Sequence, residues 1–352
     1  MNVSLYRDRL WVFKSGIDTA YRHQRQALTK VGVRVLEYLS PDSRIVHFNW
    51  YSPMSRARMK RAKSHGQKAV VFAHSANDLR GSFKGSDFCE PVLRRYLASF
   101  YSKADLLITP TEYGKSLITG KGYEVEKPVH VISNGVDTER FVFSEETRQA
   151  YRRQFRLEKP TVVTAGQFIP RKGVIDFIET ARLLPEFDFL WFGPIMNRQF
   201  SFSSQMKKSL KNKPANLTIA GFVPRIEDAL CCGDIFFFPS FEEMEGIALL
   251  EAACIGLPIV LRPIPVYQNW LIPETNCLAG ANPEEFANQI KRLWGDQQLR
   301  QSLAANAHEM ALSRNLHSIG EQLLGAYRSE LDIAFESRQT FNTILGDELN
   351  AL

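Results

Sequence analysis

The chain has 352 residues, 44% of them hydrophobic, enough to bury the cores of two domains. No run of about 18 uninterrupted apolar residues occurs and no leading stretch has signal-peptide organisation, so neither a membrane-spanning helix nor a leader is expected. The net charge of +6 is uneven: residues 1–150 hold 24 Lys+Arg against 15 Asp+Glu, and the remainder 20 against 23. The five cysteines are odd in number and lack metal-ligand spacing, and read as buried thiols of a cytosolic protein.

In chain order, short β-rich runs alternate with amphipathic helical ones, the pattern of an α/β fold with parallel sheets. The first half carries strand runs at Asn2–Tyr6, Val33–Tyr38, Ile45–Phe48, Ala69–Ala73, Leu106–Thr109 and Val129–Ile132, with helical runs such as Ile17–Lys30 and Glu90–Ser102 between them. A polar, charged segment from about residue 143 to 159 reads as a connection. The second series runs through Thr161–Ala165, Phe187–Phe192, Leu217–Ala220, Ile235–Phe238 and Pro258–Leu261, and beyond Asn282 the chain reads as helical. Two doubly wound domains facing across a cleft, 1–150 and 151–330, are expected, with a helical segment 331–352 packing back on the first. Ligands in such sheets bind outside the carboxyl ends of the strands.

Several segments place chemistry at those ends. Gly16, between the first strand and its helix, lets backbone N–H groups approach a ligand, although an ordinary helix entry also accounts for it. His74 ends the buried run Val70-Val-Phe-Ala-His74, and Asp78 and Arg80 follow on the same loop, on the acceptor side. A structural histidine explains that position equally well. Asn134-Gly-Val-Asp137 is a turn signal. Residues 44–68 contain Arg44, Arg56, Arg58, Lys60, Arg61, Lys63 and Lys68 with no acidic residue, beside Trp50, Tyr51 and Met54. Such a face suits an anionic surface, and a solvated helix face accounts for the charge alone.

The loop Ala165-Gly-Gln-Phe-Ile-Pro-Arg-Lys-Gly173 follows a strand and precedes a helix, so Arg171 and Lys172 are placed to hold a phosphate or diphosphate. It is neither a Walker A loop nor Gly-x-Gly-x-x-Gly. No two aspartates stand two apart in the chain, which removes the usual metal-bridging pair of metal-dependent sugar transferases; no metal is expected. The run Glu242-Glu-Met-Glu-Gly-Ile-Ala-Leu-Leu-Glu251 crowds four carboxylates around a helix start at Gly246 and Ile247. A helix start itself favours anions.

Together these segments resemble the family-4 glycosyltransferases of the GT-B fold. The resemblance rests on Gly16, His74, Val131-Ile-Ser-Asn-Gly-Val-Asp-Thr-Glu-Arg-Phe141, the Gly166…Gly173 loop and Pro239-Ser-Phe-Glu-Glu-Met-Glu-Gly-Ile-Ala-Leu-Leu-Glu251. It implies retaining transfer of a hexose from a nucleotide sugar, UDP-glucose or UDP-galactose, without a metal. Arg171 and Lys172 would hold the diphosphate with N–H groups of Gly246 and Ile247. Glu251 would take the ribose hydroxyls, Glu243 the hexose, and His74 would face that sugar from the other domain. Many members have Arg where this chain has Gln167, which shifts charge onto Arg171 and Lys172. Glu242 and Glu245 are left to a solvated loop.

The stretch His74-Ser-Ala-Asn-Asp-Leu-Arg-Gly-Ser-Phe-Lys-Gly-Ser86 is similar to the acceptor-side segment of Gram-positive enzymes that add a second sugar to monoglucosyl-diacylglycerol. These make diglycosyl-diacylglycerol, a membrane lipid and lipoteichoic-acid anchor, at the inner face of the membrane. The implied partners are a nucleotide sugar, a glycolipid and an anionic membrane surface, with no nucleic acid. A relative acting on a soluble or polyprenyl-linked glycan, and a noncatalytic nucleotide-sugar or nucleic-acid binder, remain as other readings.

Overall fold

Each strand run of the sequence forms a strand within two residues of its expected bounds. The computed structural model describes residues 1–7, 16–74, 86–120, 123–195 and 204–331, with the side chains of 86–89 outside that description. Strands β1 (Asn2–Tyr6), β2 (Arg34–Leu36), β3 (Ile45–Phe48), β4 (Lys68–Phe72), β5 (Leu106–Thr109) and β6 (Val129–Val131) make a first sheet in the order β2-β1-β3-β4-β5-β6. A second sheet joins β7 (Thr161–Ala165), β8 (Asp188–Phe192), β9 (Leu217–Gly221), β10 (Ile235–Phe238), β11 (Ile259–Leu261) and β12 (Leu278–Ala279) in the order β12-β11-β10-β7-β8-β9. All the pairings are parallel. Helices cover both faces of such sheets, so central strands read as unbroken apolar runs, as Ile235-Phe-Phe-Phe238 does.

In the second sheet the strand order reverses between β7 and β10, which are hydrogen-bonded neighbours with Val162 opposite Ile235. The loops leaving these two strands therefore open side by side, at the topological switch point where doubly wound sheets take ligands. One core cluster contains Val163, Phe236, Phe238 and Leu250. Another contains Phe177, Phe189, Trp191 and Phe237, with Phe177 and Phe237 stacked at 5.4 Å. The strand ends are thus held by aromatic packing from both sides.

Two helical features go beyond the sequence reading. The polar segment after residue 143 contains a helix, Glu145–Phe155, capped by Ser144 and without a buried residue. Its Arg148 and Arg152 reach the two oxygens of Asp234 at 2.6 and 3.4 Å. After the helices Pro283–Gly295 and Gln297–Leu312, the helix Leu316–Leu331 returns to the first sheet. There Leu316, Ile319, Leu323 and Tyr327 are buried with Val3, Ala27, Leu28 and Ile108. Gly320 permits this close approach, because a Cβ there would overlap the Ala27 carbonyl oxygen. The expected packing of the terminal segment falls, past Leu331, outside the described residues. Among the described residues no helix is long and apolar enough to cross a membrane.

Candidate active site

The loop after β7 closes as a 3-10 turn, Pro170–Lys172, ended by Gly173 in the left-handed region at φ 73°. A Cβ at Gly173 would collide with the Pro239 carbonyl, so glycine brings this loop against the one that leaves β10. The two are tied further by Phe241 N–H donating to the Arg171 carbonyl at 2.9 Å and by Arg171 Nη1 donating to the Glu242 carbonyl at 2.6 Å. Arg262, after β11, adds a clamp on the second loop: it pairs with Asp176 and donates through Nε to the Pro239 carbonyl at 3.3 Å.

This packing brings Arg171, Lys172 and Glu243 into one buried cluster. Lys172 Nζ pairs with Glu243 Oε1, and Ser240 Oγ donates to the same oxygen at 2.6 Å. Arg171 Nη1 lies 3.9 Å from the other oxygen. Burial alone would raise the Glu243 carboxyl, but Lys172, Arg171 and Ser240 outweigh it and hold the group below the usual carboxylate range. Glu243 is therefore ionised at neutral pH and supplies the counter-charge to both cations.

Three residues on, Gly246 takes φ 89° and opens the helix Ile247–Ile255. The N–H groups of Ile247 and Ala248 precede the first intrahelical bond, which Leu249 N–H makes to the Gly246 carbonyl at 2.8 Å, the usual state of a helix start. Glu251 lies one turn inside this helix and is buried. Burial pushes its carboxyl up to about 7, against the pull of Arg140 and Arg22. Arg140 is itself held by Glu227 at 2.7 Å, and among the described residues the Glu251 side chain makes no hydrogen bond.

His74 follows β4 in the first half and is 7% exposed. Its ring stacks on Phe72 at 4.6 Å, and Nε2 lies 2.8 Å from Asn49 Oδ1, on the loop after neighbouring β3. Burial pushes His74 down to about 3, so the ring is neutral. With the amide oxygen accepting, Nε2 carries the proton and Nδ1 is left as the acceptor. Among the described residues His74 makes no hydrogen bond to the second half. Gly16 opens the helix Gly16–Lys30, and among the described residues nothing lies within 4 Å of where its side chain would be. Asp78 and Arg80 lie outside the described residues.

The sequence reading left Glu245 in solvent; the structure buries it at 3% exposure. It accepts from Ser133 Oγ, from Asn134 N at 2.9 Å and from Asn134 Nδ2 at 2.6 Å. Beside it, Thr111 Oγ1 donates to the Met244 carbonyl at 2.9 Å. Loops from the carboxyl ends of β5 and β6 thereby hold the segment between Glu243 and Gly246. Asn134-Gly135, read as a turn, is thus also a contact between the two halves. Asn49 and Arg140 likewise give no signal in sequence, since each works through a partner distant along the chain; Ser240 meets Glu243 only three residues on, but a single serine has no local pattern that reports the bond. Among the described residues no cluster of His, Cys, Asp and Glu could hold a metal ion.

Two doubly wound parallel sheets joined through their carboxyl-end loops, with cations, a helix start and carboxylates at one switch point, define the GT-B class of sugar-transferring enzymes. Known proteins agree. The family profile described as glycosyltransferase family 4 matches residues 8–140, and that for glycosyl transferases group 1 matches residues 146–310. The processive diacylglycerol alpha-glucosyltransferase of Acholeplasma laidlawii is 35% identical over 95% of this chain and 99% of its own. The alpha-galactosylglucosyldiacylglycerol synthase of Streptococcus pneumoniae (strain ATCC BAA-255 / R6) is 29% identical over 78% and 75%. In fold, Anabaena Alr3699/HepE in complex with UDP-glucose superposes with a TM-score of 0.78 at 14% identity, over 94% of this chain and 100% of that one. The chain belongs to the family-4 glycosyltransferases.

Proposed function

We propose that the protein transfers glucose or galactose, with retention, from a UDP-sugar to monoglucosyl-diacylglycerol, giving diglycosyl-diacylglycerol. The observation that carries the acceptor is the full-length likeness to a protein named for diacylglycerol glucosylation. The donor assignment is supported by the cluster of Arg171, Lys172 and Glu243 beside the Ile247–Ile255 helix start.

In this reading Arg171, Lys172 and the N–H groups of Gly246 and Ile247 neutralise the diphosphate charge that grows as the hexose–phosphate bond breaks. Glu251 accepts from the ribose hydroxyls and Glu243 from the hexose. His74, neutral and turned by Asn49, offers Nδ1 to a hexose hydroxyl from the opposite half. The acceptor hydroxyl attacks from the face the UDP leaves, and the departing phosphate oxygen takes its proton. Gly16 opens toward the same diphosphate, and Asp78 and Arg80 serve the acceptor. Residues 1–150, with the helix Leu316–Leu331 packed on them, form the acceptor half, and residues 151–315 the donor half.

The acceptor half docks on the inner face of the cell membrane through a basic surface. The helix Pro53–Ser64 turns Ser55, Met59 and Ala62 inward. Arg44, Arg58, Lys60, Arg61 and Lys68 stay exposed, and Met54 at the helix start is 47% exposed. Arg56 is half-buried and donates to Ser99, and the exposed Lys63 is paired with Asp105, so neither is counted among them. Exposed cations add about 1 kcal/mol each on an anionic leaflet, so these five suffice for reversible docking.

The test is purified protein with radiolabelled UDP-glucose and UDP-galactose in parallel and monoglucosyl-diacylglycerol in anionic micelles. Diglycosyl lipid from one donor is expected. Lipid product from neither donor refutes the acceptor assignment.

A further inference from the structure

Both cations read as a diphosphate clamp lean on one carboxylate. Lys172 pairs with Glu243 directly, while Arg171 stands 3.9 Å from its second oxygen. The side chains of Lys172, Arg171 and Glu243 are only 14%, 13% and 8% exposed, and the Phe238 ring lies 5.1 Å from Lys172 Nζ. An exchange of partners here takes place in a poorly hydrated site, where leaving a carboxylate without its cation is costly.

We propose that Glu243 competes with the nucleotide diphosphate for Lys172, so that the intact donor is retained and the spent nucleotide is expelled. This rests on the donor reading given above. A diphosphate draws the Lys172 ammonium toward itself, and Glu243 then stays buried with Ser240 Oγ and the more distant Arg171. Hexose hydroxyls of an intact donor offset that loss by donating to the carboxylate. Once the hexose has moved to the acceptor, no hydroxyl remains to do so. Glu243 then recaptures Lys172 and weakens the hold on UDP. Because the cations keep Glu243 ionised, the competition operates throughout the neutral range.

Calorimetric titration of the full chain with UDP tests this. Glu243→Gln keeps the shape and removes the charge, so UDP should bind about tenfold tighter than to the parent. In the Lys172→Ala background the same change should bring no gain, since the contested cation is gone. A folded Glu243→Gln protein with unchanged or weaker UDP binding overturns the proposal, as does an equal gain without Lys172. The unmodified protein gives a second measurement that needs no variant to fold. It should bind its UDP-hexose about tenfold tighter than UDP, and equal affinities overturn the competition. Absence of any UDP binding by the parent would instead overturn the donor reading itself.

Discussion

Glutamine in place of Glu251 should stabilise the ligand-free protein at alkaline pH while impairing it as an enzyme. The Glu251 carboxyl is raised from 4.5 to about 7 by burial, which outweighs Arg140 and Arg22. The folded protein therefore holds this proton more tightly than the unfolded chain. Its contribution is fully present below pH 4.5 and is lost as pH rises to 7. Each tenfold in proton affinity corresponds to about 1.4 kcal/mol, so the ionised carboxylate costs the fold about 3 kcal/mol at pH 8. Gln cannot ionise and escapes that cost. Urea unfolding of parent and variant at pH 5 and pH 8 is the assay. The variant should gain about 3 kcal/mol at pH 8 and under about 1 kcal/mol at pH 5. A variant less stable than the parent at pH 8 refutes the reasoning, because the carboxylate would then be well satisfied by its neighbours. UDP should bind the variant about tenfold more weakly, as a neutral amide accepts from ribose hydroxyls less strongly than a carboxylate. In the parent, UDP affinity should rise between pH 6 and 8.

Lys172→Ala should lower transfer about 10²-fold, the usual loss for a donor aimed at developing charge; near-parental turnover in a radiochemical assay would refute its role. Glu245→Ala should destabilise the protein by about 1–3 kcal/mol, since the Ser133 and Asn134 donors lose a buried acceptor; denaturant unfolding reads this directly. Lys60→Glu with Arg61→Glu should weaken binding to anionic vesicles by about 2 kcal/mol or more. Sedimentation of the pair with vesicles at low and high salt checks this, and salt-independent binding would count against a charged docking face.

The strand framework was legible because strands buried on both faces are written as apolar runs, and Ile235-Phe-Phe-Phe238 admits few other readings. The two-residue β12, Leu278–Ala279, is too short to carry a period. The helix Glu145–Phe155 hides for another reason: its apolar contact is limited to Tyr151 and Phe155, one turn apart and only partly buried against the core, and Arg148 and Arg152 anchor the rest through a distant aspartate. At the candidate site, Arg171 and Lys172 on a strand-to-helix loop and Gly246 at a helix start are legible from local pattern, whereas a role for Glu251 comes only from the family resemblance. That Lys172 would pair with Glu243 depended on β7 and β10 being neighbours, which follows from sheet order and not from local sequence. Glu245 shows the limit most clearly. Its charge was visible, but its partner Asn134 stands 111 residues earlier, and no local pattern reports such a meeting.

The helix Leu316–Leu331 has a consequence for how the protein is made. A ribosome releases residues 1–131, with all six strands of the first sheet, well before the residues that cover part of that sheet's apolar surface. Val3, Ile108 and their neighbours then wait for Leu323 and Tyr327 while the whole second sheet is synthesised. At about 5–20 residues per second, that interval lasts on the order of ten to forty seconds. During it the first half is a sticky, unfinished body, the kind of nascent species that chaperones shield.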